Sequence, residues 1–122
     1  MPYRVIYPDN QGNFKSEIPF GSKLPYKANG AVKITSDLSF NDLSKILRGL
    51  VNVPYKWGGK TSMGFDCSGL IQSVLNCFGP LVPRDSVDQF QYFESDKIAI
   101  EDAQVGDLHF FGVKQRVNHV GF

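Results

Sequence analysis

Gly64-Phe65-Asp66-Cys67-Ser68-Gly69-Leu70 opens the stretch that decides how this chain folds, and Ile71-Gln72-Ser73-Val74-Leu75-Asn76-Cys77-Phe78-Gly79-Pro80 completes it. Leu70, Ile71, Val74, Leu75 and Phe78 recur at helical spacing and form one apolar stripe. Gly79 followed by Pro80 is the usual order of a helix stop. A helix is therefore expected from Asp66 or Cys67 to Phe78, with Cys67 at its head. A thiol there lies near the positive end of the helix macrodipole, where the nucleophilic thiolate is favoured. Asp66 opposes this, because a neighbouring negative charge disfavours a second anion. If Asp66 caps the helix, backbone N–H groups take up part of its charge, and the dipole with a nearby imidazole is expected to win. Gly69 leaves room close to the sulfur for a substrate backbone to approach. A free cysteine is more often buried packing than a nucleophile, so helix position alone does not assign Cys67 a role. Cys77, near the negative end among Val74, Leu75 and Phe78, reads as core. Ten residues of helix separate the two Cα atoms by about 15 Å, and a disulfide needs less than about 7 Å.

Working outward, Trp57-Gly58-Gly59-Lys60-Thr61-Ser62-Met63-Gly64 reads as a loop, entered through Pro54. Before it, Leu43, Ile46, Leu47 and Leu50 share one helical face, with Ser39 as the cap and Asp42 three residues on. After it, a short helix is expected over Ser86 to Phe93, with Asp85 as a candidate cap. Leu108-His109-Phe110-Phe111 and Asn118-His119-Val120-Gly121-Phe122 read as strands, and Gly112 to Arg116 as the loop between them. Helices followed by antiparallel strands argue an α+β fold, with helices packed on a sheet. Residues 1–36 are rich in turns and strand formers. Tyr3-Arg4-Val5-Ile6-Tyr7 reads as a strand and Pro8-Asp9-Asn10-Gln11-Gly12 as a turn. Two parts follow: a β-rich appendage over residues 1–36 and the main domain over 37–122.

With 122 residues, 42% of them hydrophobic and a net charge of +1, the chain has material for one core and no electrostatic case for nucleic acid or an anionic membrane. No apolar run approaches the roughly 18 residues of a membrane span. The N-terminus lacks the apolar stretch of a secretory leader. The protein is thus either cytoplasmic, or a cell-wall, extracellular or periplasmic protein whose leader was removed. Gly58-Gly59-Lys60-Thr61 has part of a phosphate-loop pattern, but Pro54 stands where the first glycine belongs and the helix starts too late. Two cysteines and two histidines without paired ligand spacing make no metal site. No cofactor is expected. His109 and His119 are both candidate general bases, and the residues alone do not say which reaches Cys67.

Five motifs in order resemble the NlpC/P60 family of cell-wall cysteine peptidases, which have a papain-like α+β fold. They are Pro54-Tyr55-Lys56-Trp57-Gly58-Gly59, Gly64 to Leu70, Pro83-Arg84-Asp85-Ser86 with Gln89, Gly106-Asp107-Leu108-His109-Phe110-Phe111, and Asn118-His119-Val120-Gly121. The resemblance covers roughly residues 38 to 122. It implies Cys67 as nucleophile and His119 as base, and gives His109 no catalytic part, since that position is normally apolar in the family. It implies hydrolysis of peptidoglycan stem peptides, typically between γ-D-glutamate and a diamino acid. By the same resemblance Tyr55 and Trp57 belong to the site, and Asp66, Ser68, Arg84, Asp85 and Ser86 map near the substrate. A carboxylate among them would hold the free amine of an N-terminal alanine, and a hydroxyl the γ-D-glutamate carboxylate. Asp66 and Asp85 have an alternative as helix caps, Arg84 as a surface charge and Trp57 as core. Residues 1–36 weakly resemble the last strands of a bacterial SH3-like domain.

The family continues past its histidine motif with at least two strands, one carrying a polar residue that orients the imidazole. None of the 122 residues answers to it. The expectation is a fragment whose remaining strands lie on another chain or outside these residues, and which is a poor enzyme alone. The competing reading is a catalytically impaired wall-peptide-binding module or pseudoenzyme.

Overall fold

A computed structural model describes residues 39–122 in full, and two further strands, β1 (Val5–Pro8) and β2 (Phe14–Ile18), by their backbone. β1 and β2 pair antiparallel, with Val5 opposite Ile18 and a register shift after Tyr7. The strand expected near residues 3–7 is present in part. Pro8, expected to open a turn, closes β1; the rest of that turn, residues 9–12, and the remainder of the expected SH3-like remnant lie outside the described residues.

Helix α1 (Phe40–Gly49) begins where its sequence signal says it should. The Ser39 hydroxyl accepts from the Asp42 N–H (3.4 Å), and the Asp42 carboxylate accepts from the Ser39 N–H (2.7 Å), a reciprocal capping box. These bonds, the Ser39 backbone first, hold the Asp42 carboxyl below the usual carboxylate range. α2 (Cys67–Asn76) follows, then α3 (Ser86–Tyr92) and two short 3₁₀ turns, Glu94–Asp96 and Ile100–Asp102. α2 stops two residues earlier than its apolar stripe suggests. Cys77 and Phe78 close a turn, and Gly79 then takes a left-handed φ of 102° before Pro80.

Leu43 and Ile46 of α1, Val74 of α2 and Phe65 are the buried core, with Leu47, Leu50, Leu70, Cys77, Phe78 and Phe122 packed around them. Ile71 of α2, Val82 and Val120 are the other buried apolar residues among those described. Phe90 of α3 meets Phe110 edge-to-face, with ring centroids 5.4 Å apart.

The α+β class is as expected, but the strands come as pairs. Among the described residues there are three two-stranded antiparallel sheets: β1–β2, β3 (Lys60–Thr61) with β4 (Gly64–Phe65), and β5 (His109–Val113) with β6 (Arg116–Gly121). The stretch read as a loop at Trp57–Gly64 thus folds back on itself as a minimal hairpin. The loop expected from Gly112 to Arg116 is also shorter: the strands run on to a two-residue turn, Lys114-Gln115, with φ of 51° and 64°. Such turns normally take Asn or Gly, so the sequence carries no signal for it. Gly112 sits at a register shift where a Cβ would collide with the Arg116 carbonyl oxygen.

Candidate active site

Asp66 organises the head of α2. It has extended backbone angles (φ −89°, ψ 176°), and its side chain accepts from the Gly69 N–H at 2.7 Å, an N-cap bond. The same carboxylate accepts from the Gly58 N–H (3.0 Å) and from both terminal nitrogens of Arg84, at 3.0 and 2.7 Å. The Ser68 hydroxyl donates to it at 3.4 Å while accepting from Arg84 at 3.0 Å. A carboxylate has about four acceptor positions, so the protein itself fills Asp66. The helix-cap alternative describes Asp66, whose two carboxylate oxygens are both engaged by protein donors. Ser68, buried, spends its hydroxyl in the same cluster. Arg84 is a partner of Asp66 rather than a free surface charge.

Asp85 behaves oppositely. It occupies the N-cap position of α3 without a cap hydrogen bond. Its carboxylate is 76% exposed and stands 3.9 Å from Arg84. Ser86, beside it, is half-buried. Tyr55 bridges in parallel to Phe65 yet keeps 64% of its surface exposed, and Trp57 is 88% exposed, so Trp57 is not core. The space expected above Gly69 for a substrate is taken by the chain: a Cβ there would collide with the Gly59 carbonyl oxygen, which accepts from the Asp66 N–H at 3.0 Å.

Sequence reasoning assigned no role to Gln89. It is completely buried, and its amide donates to the carbonyls of Ser68 (3.0 Å) and Pro83 (2.8 Å), tying the first turn of α2 to the segment before α3. The sequence carries it with the Pro83–Ser86 motif, but as the fourth residue of a short helix its spacing alone does not distinguish it from a surface residue.

Cys67, half-buried, is the first residue of α2. Both cysteines are free. The thiol that donates a hydrogen bond among the described residues is Cys77's, to the Ser73 carbonyl, and burial pushes that thiol up from its ordinary value. β6 packs against both α2 and α3. His119 lies on β6 opposite Phe111, its ring 5.8 Å from the phenyl centroid. Thiol and imidazole are thus on neighbouring elements and are not hydrogen-bonded to each other. A cavity of about 530 Å³ lies elsewhere, between α1 and the segment leading to β5, lined by Phe40, Leu47, Val105, His109 and Phe122. Of the two candidate bases His109 lines it, whereas Cys67, His119 and the residues mapped near the substrate do not. Among the described residues, no three His, Cys, Asp or Glu side chains come close enough to hold a metal, and no helix is long and apolar enough to cross a membrane.

The family model named NlpC/P60 matches residues 52–122. The chain belongs to the NlpC/P60 family. A gamma-D-glutamyl-L-lysine dipeptidyl-peptidase of Bacillus subtilis (strain 168) is 29% identical over 113 residues, spanning 90% of this chain and 38% of that protein. A protein of the same name from Bacillus cereus is 31% identical over 125 residues, spanning 98% of this chain and 34% of its own length. The chain therefore spans about a third of each of these relatives. The NlpC/p60 domain of the peptidoglycan hydrolase SagA superposes with a TM-score of 0.56 at 32% identity, covering 68% of this chain and 70% of that one. The papain-like α+β fold expected for NlpC/P60 domains is thereby borne out.

The Asp66 cluster has a pH signature. Burial opposes its ionisation, but the Arg84 hydrogen bonds, the Gly69 N–H, the Arg84 charge and the Gly58 N–H outweigh that and hold the carboxyl below the usual range. A depressed carboxyl contributes stability fully above its unfolded value of about 3.9, and the contribution is lost as pH falls through the folded value. Denaturant unfolding from pH 6 down to 2 is expected to weaken below about pH 4, and less steeply in Asp66→Asn. Asp42 keeps a residual slope in both. An identical slope in the two proteins would contradict this account.

Proposed function

We propose that this NlpC/P60 chain is the cysteine-peptidase part of a peptidoglycan hydrolase, cutting the amide bond between γ-D-glutamate and a diamino acid in stem peptides. The observation that carries the reading is Cys67 as the first residue of a helix whose N-cap is anchored by Gly69, Gly58 and Arg84. A helix head leaves backbone N–H groups without partners in the helix. The Cys67 N–H is therefore a ready donor to an oxyanion.

His119 takes the thiol proton, and the sulfur attacks the carbonyl carbon of the γ-glutamyl amide. The tetrahedral oxyanion collapses, the C–N bond breaks, and imidazolium returns its proton to the leaving amine. Water, deprotonated by the same imidazole, then cleaves the thioester and restores the thiol. The exposed Asp85 carboxylate is the group free to hold the ammonium of an N-terminal alanine, because the Asp66 carboxylate is filled. Ser86 would meet the γ-D-glutamate carboxylate, with Tyr55 and Trp57 as an aromatic wall. Asp66, Ser68 and Arg84 support this arrangement from behind.

Mass spectrometry of defined muropeptides tests it. L-Ala-γ-D-Glu-diamino acid peptides are expected to yield the L-Ala-γ-D-Glu dipeptide, and Asp85→Asn to raise KM about tenfold for substrates with a free alanine amine while sparing amine-blocked ones. Peptides that bind and stay intact would favour the wall-peptide-binding module instead.

A further inference from the structure

The nucleophile follows directly on an aspartate, which poses a problem. Although burial opposes it, hydrogen bonds to Arg84 and to backbone N–H groups keep the Asp66 carboxylate ionised, and a neighbouring anion disfavours the thiolate the reaction needs. We propose that Arg84 is a positioning residue that resolves this conflict: its guanidinium compensates the Asp66 charge and clamps the first turn of α2 to the segment before α3, so that Cys67 ionises beside a neutral pair. This inference rests on Cys67 being the nucleophile.

The geometry is that of a fork on a fork. One terminal nitrogen of Arg84 donates to Asp66 Oδ1 (3.0 Å) and to Ser68 Oγ (3.0 Å), and the other donates to Asp66 Oδ2 (2.7 Å). The Arg84 and Asp66 side chains retain only 29% and 14% of their exposure, so solvent screens the pair less than it would a surface bridge. Arg84 spans both neighbours of Cys67 in sequence, Asp66 and Ser68, and thereby fixes the turn that carries the sulfur. The Arg84 cation is favoured by its bonds to Asp66, against some burial, and then by the charges of Asp66 and Asp85. A lysine would keep the charge and lose the two-pronged bond.

Other ionisable groups lie on the elements around α2. α2 carries no charged residue, and β4 has none. β3 offers Lys60, whose ammonium donates to Gln72. α3 and its cap offer Asp85 and Asp88, β6 offers Arg116 and His119, and α1 offers Asp42, Lys45 and Arg48. All of these are common to the variants below.

The test follows the rate of Cys67 alkylation by iodoacetamide from pH 5 to 9, each site resolved by mass spectrometry, with Cys77 as the internal reference. Arg84→Gln is expected to move the Cys67 profile about one unit to higher pH, or about tenfold slower alkylation at pH 6. Removing both charges, in Asp66→Asn/Arg84→Gln, is expected to return the profile to within about twofold of wild type, since asparagine caps a helix about as well as aspartate. Arg84→Lys should hold most of the wild-type rate. The Cys77 rate should not change. A purely structural role predicts instead that the double variant is at least as slow as Arg84→Gln, and that result overturns the inference. So does a wild-type profile in folded Arg84→Gln. If circular dichroism shows Arg84→Gln unfolded, the double variant and Arg84→Lys decide, and a shifted double variant counts against the inference. If wild-type Cys67 alkylates no faster than Cys77 at pH 6, the nucleophile assignment itself fails, an outcome distinct from failure of the Arg84 role alone.

Discussion

Replacing Cys67 with alanine is expected to lower the turnover of stem peptides by about 10⁴-fold or more. No other group can take over the covalent step. Cys77 is ten residues away on the far end of α2, donates its proton to the Ser73 carbonyl, and has its thiol pushed up by burial. His119→Ala is expected to cost about 10³- to 10⁴-fold, because the thiol then loses both its base and the acid that protonates the leaving amine. The two losses should not add. Once the sulfur is gone the imidazole has nothing to activate, so the double variant should match Cys67→Ala. Circular dichroism and unfolding curves should be unchanged in both single variants, since Cys67 is half-buried and His119 is exposed. Turnover in Cys67→Ala within tenfold of wild type would remove the thiol from the mechanism. Additive losses would remove the dyad.

The second large effect is on stability. Gly69→Ala is expected to destabilise the domain by about 3 kcal/mol, lowering its melting midpoint by roughly 10 °C. A methyl at this position would strike the Gly59 carbonyl oxygen and lie 2.8 Å from Asp66 Oδ1 and 3.3 Å from an Arg84 nitrogen. The first obstacle is backbone already bound to the Asp66 N–H, so it cannot swing aside as a side chain would. Ordinary helix propensity points the other way, with alanine favoured over glycine by about 1 kcal/mol. The sign of the change therefore separates the two effects. A midpoint equal to or above wild type would mean that the Gly58-Gly59 loop does not press on α2.

What could be seen in the sequence was whatever depends on neighbours along the chain. The Ser39–Asp42 cap, the stripes of α1 and α2, and the Gly79-Pro80 stop are all local, and each is found in the structure, with α2 ending two residues short of its stripe. The β3–β4 hairpin was invisible because two residues per strand carry no alternation. The Lys114-Gln115 turn was invisible because it lacks the residues that normally adopt a left-handed φ. The candidate site was legible as a set of residues but not as a division of labour. Asp66 and Asp85 look alike in sequence, each just ahead of a helix. Only the approach of Arg84, eighteen positions from Asp66, fills one carboxylate and leaves the other facing water. Likewise Gly69 reads as space for a ligand until Gly59 is seen in that space.

Trp57 is the chain's single tryptophan, and it stands in solvent one residue before the Gly58 amide that grips Asp66. Indole emission from this chain consequently has one source, in solvent beside the Asp66 cluster and not in the interior. Fluorescence thus offers a label-free test of whether muropeptides bind beside Trp57, and for the same reason it is a poor witness to unfolding, which calls for a different optical probe.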